Sequence, residues 1–191
     1  MRQRDDSKRL AFLEATLKEV AEFGFAGTSV ARIARSAGVS PGTLYIYYAD
    51  KNALLEAAFF YVSDQVIGAA VASFQQGTDL KDGLRRTWHA LFRLGLSRPE
   101  YFRYHDSFTH SAWMTPDIQA RNEAKAAPLL DAVERGKETG LIKPVPLPLL
   151  ETFMFRPIHH LVQRTRQGSF EGTDEQIDLG FNMAWDAIAL A

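Results

Sequence analysis

Residues Gly24–Leu55, GFAGTSVARIARSAGVSPGTLYIYYADKNALL, decide how this chain folds and what it touches. Gly24 stands where a helix arriving from about Ser7 would need a left-handed C-terminal residue. A short helix starts after Thr28 or Ser29, both good N-caps, turns Val30, Ile33, Ala34 and Ala37 inward, and stops at Gly38. Ser40 caps the next helix, predicted over Pro41–Tyr48, with Pro41 at the first position, where a missing N–H costs nothing. Asp50 opens a longer helix through Leu54, Leu55 and Phe59 to about Phe74. Two short helices joined by a glycine-containing turn make a helix-turn-helix.

The faces of the second short helix divide by spacing. Leu44 and Tyr48, four residues apart, point back to a small core with Ile33 and Val39. Ser40 and Gly42 keep the opening turn slim enough to enter a major groove about 12 Å wide, and Thr43 and Tyr45 face the bases. Tyr47 and Lys51 reach phosphates beside the groove; Thr28, Ser29 and Arg32 hold phosphates on its other side. Arg35 reads as a solvated or bracing charge. The run Gly38-Val39-Ser40-Pro41-Gly42 also fits G-x-S-x-G, the hydrolase nucleophile elbow. That elbow follows a strand, whereas a helix precedes this run and Ser40 serves as a cap. No catalytic residue is assigned, and the chain reads as a non-enzyme. The rivals are a small hydrolase using Ser40, or a helical interaction module without DNA binding.

Over roughly its first 60 residues the sequence resembles the tetracycline-repressor (TetR) family. The likeness rests on Gly24-Phe25, Thr28-Ser29-Val30, Ile33-Ala34, Ala37-Gly38-Val39-Ser40, Gly42-Thr43-Leu44-Tyr45, Tyr47-Tyr48 and Asp50-Lys51, with Leu54-Leu55 following. The resemblance implies a homodimer, a helical effector-binding body, and release of operator DNA controlled by a small molecule, most often as a repressor. Two positions depart from the family pattern: Pro41 stands where many relatives carry a basic or polar residue, and Tyr48 replaces the more usual Phe.

Beyond Gly77 the pattern stays helical, over Thr78–Ser97, Pro99–His110, Pro116–Arg135, Leu147–Gln167 and Asp174–Leu190. Pro128 and Pro157 are expected to kink or break their helices, and Gly136–Pro148 is the clearest loop. The expected fold is therefore all-α: a three-helix helix-turn-helix domain over residues 1–51 and a larger ligand-binding and dimerisation domain over 52–191. Trp88, Phe92, Tyr104, His105, Phe108, Trp113, Phe155 and His159 are the candidates for lining an apolar or aromatic effector pocket. Leu150, Phe153 and Leu161 on one late helix, with Ile177, Phe181, Trp185 and Ile188 on the other, give apolar surface on more than one face. That pattern suits pairing across a two-fold axis, with a purely intramolecular core as the alternative.

Composition narrows the classes. With 46% hydrophobic and 24% charged residues the chain is ordinary for a globular protein. Net charge is −1, but residues 1–51 hold eight Lys/Arg against six acids, a mild basic excess that supports DNA binding weakly. The histidines show no i, i+4 pair and cysteine is absent, so neither a metal site nor a cofactor is expected. The absence of cysteine, of a signal-like opening and of an apolar run near 20 residues leads to the expectation of a cytoplasmic protein with no membrane partner.

Overall fold

Helix caps written in the sequence set most boundaries. The computed structural model describes residues 2–190, with side chains from residue 6 onward. The elements are α1 (Arg2–Gly27), α2 (Val30–Ser36), α3 (Pro41–Tyr47), α4 (Lys51–Phe74), α5 (Leu80–Ser97), α6 (Pro99–Thr109), α7 (Pro116–Glu138), α8 (Leu147–Met154), α9 (Arg156–Arg166) and α10 (Asp174–Ile188). Among the described residues no strand forms beyond an isolated bridge between Ile142 and Ala189. Asp50 Oδ1 accepts from the Ala53 N–H at 2.8 Å, and Thr173 Oγ1 from the Gln176 N–H at 3.3 Å, each closing an otherwise orphaned helix donor. Gly24, at φ 67° and ψ 173°, breaks the end of α1 by adopting a left-handed φ that side chains with a Cβ resist.

The chain forms two compact units. One comprises the residues up to Asp64 with Glu100–Gln119; the other comprises Gln65–Pro99 with the residues from Ala120 onward. The first unit thus extends past residue 51, and packing explains why. Its small core joins Phe12, Ala15, Ile33, Ala34, Leu44 and Leu54, with Val39, Tyr47 and Tyr48 against it. Farther along α4, Leu55, Ala58, Phe59 and Val62 are also buried. Phe25, just after the Gly24 break, sits among Tyr104, Phe108 and Trp113 at ring separations of 5.4, 5.8 and 5.2 Å. Tyr104 donates to the Leu55 carbonyl at 2.9 Å, and burial pushes its hydroxyl pKa upward. Tyr61 and Tyr101 both reach Glu14 Oε1, at 2.7 and 3.2 Å, tying α4 and α6 to α1.

In the second unit, α5 carries Leu84, Thr87, Trp88, Leu91 and Phe92 inward, and α10 carries Ile177, Phe181, Ala184, Trp185 and Ile188. Burying each large apolar side chain stabilises the fold by roughly 1.5–3 kcal/mol before entropy is counted. Thr87 donates its hydroxyl to the Gly83 and Ala70 carbonyls at 3.0 and 3.1 Å, so this buried polar group is satisfied.

Pro157 breaks its helix as expected: the late segment Leu147–Gln167 is two helices, α8 and α9, meeting at Phe155 ahead of Pro157, whose ring cannot follow a continuing helix. Pro128 lies inside an α7 that continues past it to Glu138. And α4, though Glu56 and Asp64 interrupt its apolar run, is long and apolar enough, by length and composition only, to cross a membrane. Its Leu54, Leu55, Ala58, Phe59 and Val62 are instead buried in the first unit.

Candidate nucleic-acid interface

Helix α3 is short because its own sequence ends it: Tyr48 has extended backbone at φ −134°, ψ 128°, one residue earlier than the spacing suggested. Ser40 Oγ accepts from the Thr43 N–H at 3.3 Å and lies 3.0 Å from Thr43 Oγ1, so the two hydroxyls are bonded to one another at the helix start. Leu44 is completely buried and fixes the rotation of the helix. At about 100° per residue, Gly42 and Ile46 then fall nearly opposite Leu44, with Tyr45 on one side. The exposures agree: Tyr45 is 54% and Ile46 is 80% accessible, and Pro41 and Gly42 are exposed beside them.

Tyr45, expected to face the bases, thus shares an outward surface with Gly42, and Ile46 joins them; Thr43, two positions from Tyr45, is half-buried on the opposite flank of the helix. Ile46 was missed because an isoleucine beside Leu44 looks like core. The available signal was its phase, four residues from Gly42 and away from Leu44 and Tyr48.

The bracing helix behaves differently. The Thr28 hydroxyl, expected on a phosphate, is buried and donates to the Gly24 carbonyl at 2.6 Å, so its proton is already engaged. Ser29 makes no side-chain cap; its backbone N–H donates to Glu19 Oε1 at 3.0 Å. The same buried carboxylate oxygen accepts from Arg32 Nε at 2.6 Å, while Arg32 Nη2 donates to the Gly27 carbonyl at 2.6 Å and the guanidinium lies 4.2 Å from the Phe23 ring centre. Arg32 thus locks the start of α2 onto α1, with Glu19, a residue the sequence reading passed over. Tyr47 is half-buried, its ring 5.5 Å from Phe12 and 5.7 Å from the Arg9 guanidinium. Tyr48 is half-buried edge-on to Phe12 at 6.2 Å, and burial raises its hydroxyl pKa. Lys51 Nζ donates to the Ala26 carbonyl at 3.3 Å at the surface, leaving further ammonium protons for an anion.

The expected pocket residues divide between the units. Tyr104, His105, Phe108 and Trp113 belong to the first, where His105 stacks on Phe59 at 5.3 Å and Trp113 Nε1 donates to Asn52 Oδ1 at 3.1 Å. Trp88, Phe92, Phe155 and His159 belong to the second, with Trp88 edge-on to Phe181 at 6.1 Å. The fully buried Trp88 Nε1–H has no hydrogen-bond acceptor within the described protein. Two open clefts of the second unit are lined otherwise. One, of about 380 Å³, holds Asp82, Arg85, Arg86, His89, Arg93, Asp174 and Asp178; another, of about 480 Å³, lies by Phe74, Leu80, Ala132 and Leu141.

Of the expected dimer residues, Leu150, Ile177, Phe181, Trp185 and Ile188 are core within the unit, which is the intramolecular alternative. Leu161 is partly buried, and Phe153 alone is fully on the surface, at 53% exposure. The exposed apolar residues here are instead i, i+4 pairs: Leu149 with Phe153 on α8, and Leu179 with Met183 on α10. Among the described residues no cluster of His, Asp and Glu has the arrangement of a metal site.

Comparison with known proteins places this geometry among relatives. Residues 12–58 match the family described as bacterial regulatory proteins, tetR family, and residues 80–189 match the tetracyclin repressor-like C-terminal domain. A TetR family transcription regulator of Marinobacter aquaeolei VT8 is 72% identical in its crystal structure, with all of both chains covered and a TM-score of 0.97. A TetR-family transcriptional regulator of Haemophilus influenzae RD, 17% identical over 98% of this chain and 99% of its own, has the same fold at a TM-score of 0.78. The HTH-type transcriptional regulator BetI of Serratia proteamaculans is 28% identical over 155 residues, 66% of this chain and 78% of that protein.

Proposed function

Because the chain belongs to the TetR family of bacterial regulatory proteins, DNA-binding transcriptional regulators with a helix-turn-helix, we propose that it binds a pseudo-palindromic operator as a homodimer and releases it to a small effector. One observation carries this reading. The exposed face of α3, Gly42, Tyr45 and Ile46, has the width and freedom to lie in a major groove, while Leu44 anchors the helix from behind. Ser40, Thr43, Tyr45, Tyr47 and Lys51 contact DNA; Thr28, Ser29 and Arg32 hold α2 in place and reach the backbone only through what the Gly24 carbonyl and Glu19 leave available.

The partner surface is the outer side of α8 and α10, centred on Leu149, Phe153, Leu179 and Met183. Apolar side chains this exposed, on two helices that pack together, suit a self-complementary interface. The effector is small and largely apolar or aromatic, and Trp88 with Phe92 is the proposed point of contact. The unmet indole N–H favours an effector carrying a hydrogen-bond acceptor. Effector and operator need different affinities for two states of the dimer, typically a coupling of about 1–3 kcal/mol. Helix α4, continuous from one unit into the other, is the element proposed to carry it. Repression, relieved by effector in the cytoplasm, is the proposed outcome.

Affinity selection of fragments from the source genome tests the DNA reading. Enrichment of a short inverted repeat, footprinted as two half-sites about 34–36 Å apart, is expected. Recovery of no sequence above background at low salt removes it. For the dimer, Phe153→Glu is expected to sediment as a folded monomer; a dimer that persists moves the interface elsewhere.

A further inference from the structure

We propose that α3 selects its operator by apolar contact with thymine methyl groups, with Ile46 as the reader. The inference rests on the DNA-binding assignment above and adds what in the DNA is recognised. The chemistry of the helix leads there by elimination. Major-groove sequence is usually read by Arg or Lys on guanine, Asn or Gln on adenine, and Asp or Glu on cytosine. Helix α3, PGTLYIY, contains none of these six residue types. Its polar groups are hydroxyls, which donate and accept alike and so distinguish base edges poorly. Two of them, on Ser40 and Thr43, are bonded to each other.

What remains on the outward face is apolar surface, and Ile46 supplies the largest exposed share at 80% accessibility. Of the two arginines on the bracing helix, Arg32 is held by Glu19 and the Gly27 carbonyl, and Arg35 is exposed but lies outside α3. An isoleucine left this open by its own fold gains most from burial against another apolar group. The one apolar group on a major-groove base edge is the C5-methyl of thymine. Gly42, on the same face, removes the side chain that would otherwise hold the backbone away; a Cβ there meets only Ser40 Oγ at 3.9 Å, so the space is open to DNA rather than filled by protein.

The test uses the full-length chain and a duplex selected with it from a randomised pool. Each thymine of the half-site is replaced in turn by deoxyuridine, which removes the methyl and leaves base pairing intact. For the wild type, uridine at one position is expected to weaken binding about fourfold, and about fifteenfold when both half-sites are changed. In Ile46→Ala, which keeps the fold because the side chain is exposed, wild-type and uridine duplexes are expected to bind equally. A uridine penalty unchanged in Ile46→Ala overturns the role of Ile46. Tight binding with no penalty at any thymine overturns methyl reading while leaving the regulator assignment standing. Failure to select any duplex removes both.

Discussion

Helix α3 presents Pro41, Gly42, Tyr45 and Ile46 to solvent without one formal charge, whereas the flank of α5 and α10 crowds Arg85, Arg86, His89 and Arg93 into an open cleft. By charge density alone the second region is the better candidate for a polyanion. The hydrogen bonds say otherwise. Arg85 is bidentate to Asp178 at 2.7 and 2.6 Å, Arg86 donates to Asp82 at 2.9 Å, Arg93 to Asp174 at 3.1 Å, and His89 Nε2 lies 2.6 Å from Asp178. Each arginine already has its carboxylate, and the Arg85–Asp178 and Arg93–Asp174 bonds fasten α10 to α5. The α3 face has almost no internal partner, so shape and exposed apolar area remain available to a ligand. The local balance of satisfied and unsatisfied groups, more than the count of charges, separates a binding surface from a structural one.

Paired substitutions break the comparison if it is wrong. Tyr45→Ala is expected to weaken operator binding by about 100-fold, the effect of removing a central contact, while the protein remains folded and dimeric. Arg85→Ala, in the charge-rich flank, is expected to leave operator affinity within about twofold. Fluorescence anisotropy with one labelled operator measures both. Equal losses in the two variants, or an unaffected Tyr45→Ala, would reverse the assignment of the two surfaces.

The charged flank has its own signature, in stability. The Arg85 hydrogen bonds hold the Asp178 carboxyl at a pKa of about 2, with His89 adding to the effect and partial burial opposing it. A carboxyl whose folded pKa is depressed stabilises the native state above its unfolded value, near 3.8. That contribution is lost as pH falls from about 4 toward 2. Asp178→Asn is expected to cost about 1 kcal/mol at neutral pH after solvent screening, with the difference from wild type closing in that acid window. Denaturant unfolding at pH 7 and pH 2.5 reads it. A deficit of the same size at both values would show that lost packing, rather than the ion pair, is responsible.

The two regions also differed in how well the sequence revealed them. Around α3 the information is local. Ser40 with Pro41 starts the helix, Leu44 sets its phase, Asp50 caps the next helix, and Gly24 and Gly38 take left-handed φ values of 67° and 72° as turn residues do. Those features depend on neighbours within a few positions. The roles of Glu19, Arg32 and Phe25 do not: Glu19 meets Ser29 ten residues away, and Phe25 meets Trp113 across most of the first unit's chain. The late helices show the same limit. An apolar residue on α10 reads alike whether it faces its own core, as Ile177 and Phe181 do, or solvent, as Leu179 and Met183 do. Periodicity gives the faces of a helix, but which face receives a neighbour from its own chain is fixed by long-range packing.

Lys51 sharpens the comparison at its small end, because it is a charge near the reading surface that is not matched by a carboxylate. Its ammonium donates one proton to the Ala26 carbonyl, a neutral acceptor, so the positive charge there is not cancelled as it is for Arg85. A phosphate beside the groove would be attracted to it, and binding would release a counterion. Lys51→Ala is therefore expected to weaken specific and non-specific DNA alike, by only a few-fold at moderate salt, and to lower the salt slope by about one unit per half-site. Anisotropy titrations across a range of salt concentrations measure that slope. A loss of affinity with an unchanged slope would mean that the bond to Ala26, and hence the seating of α4, is what the substitution disturbs; the charge would then belong with the structural group that Arg85 exemplifies.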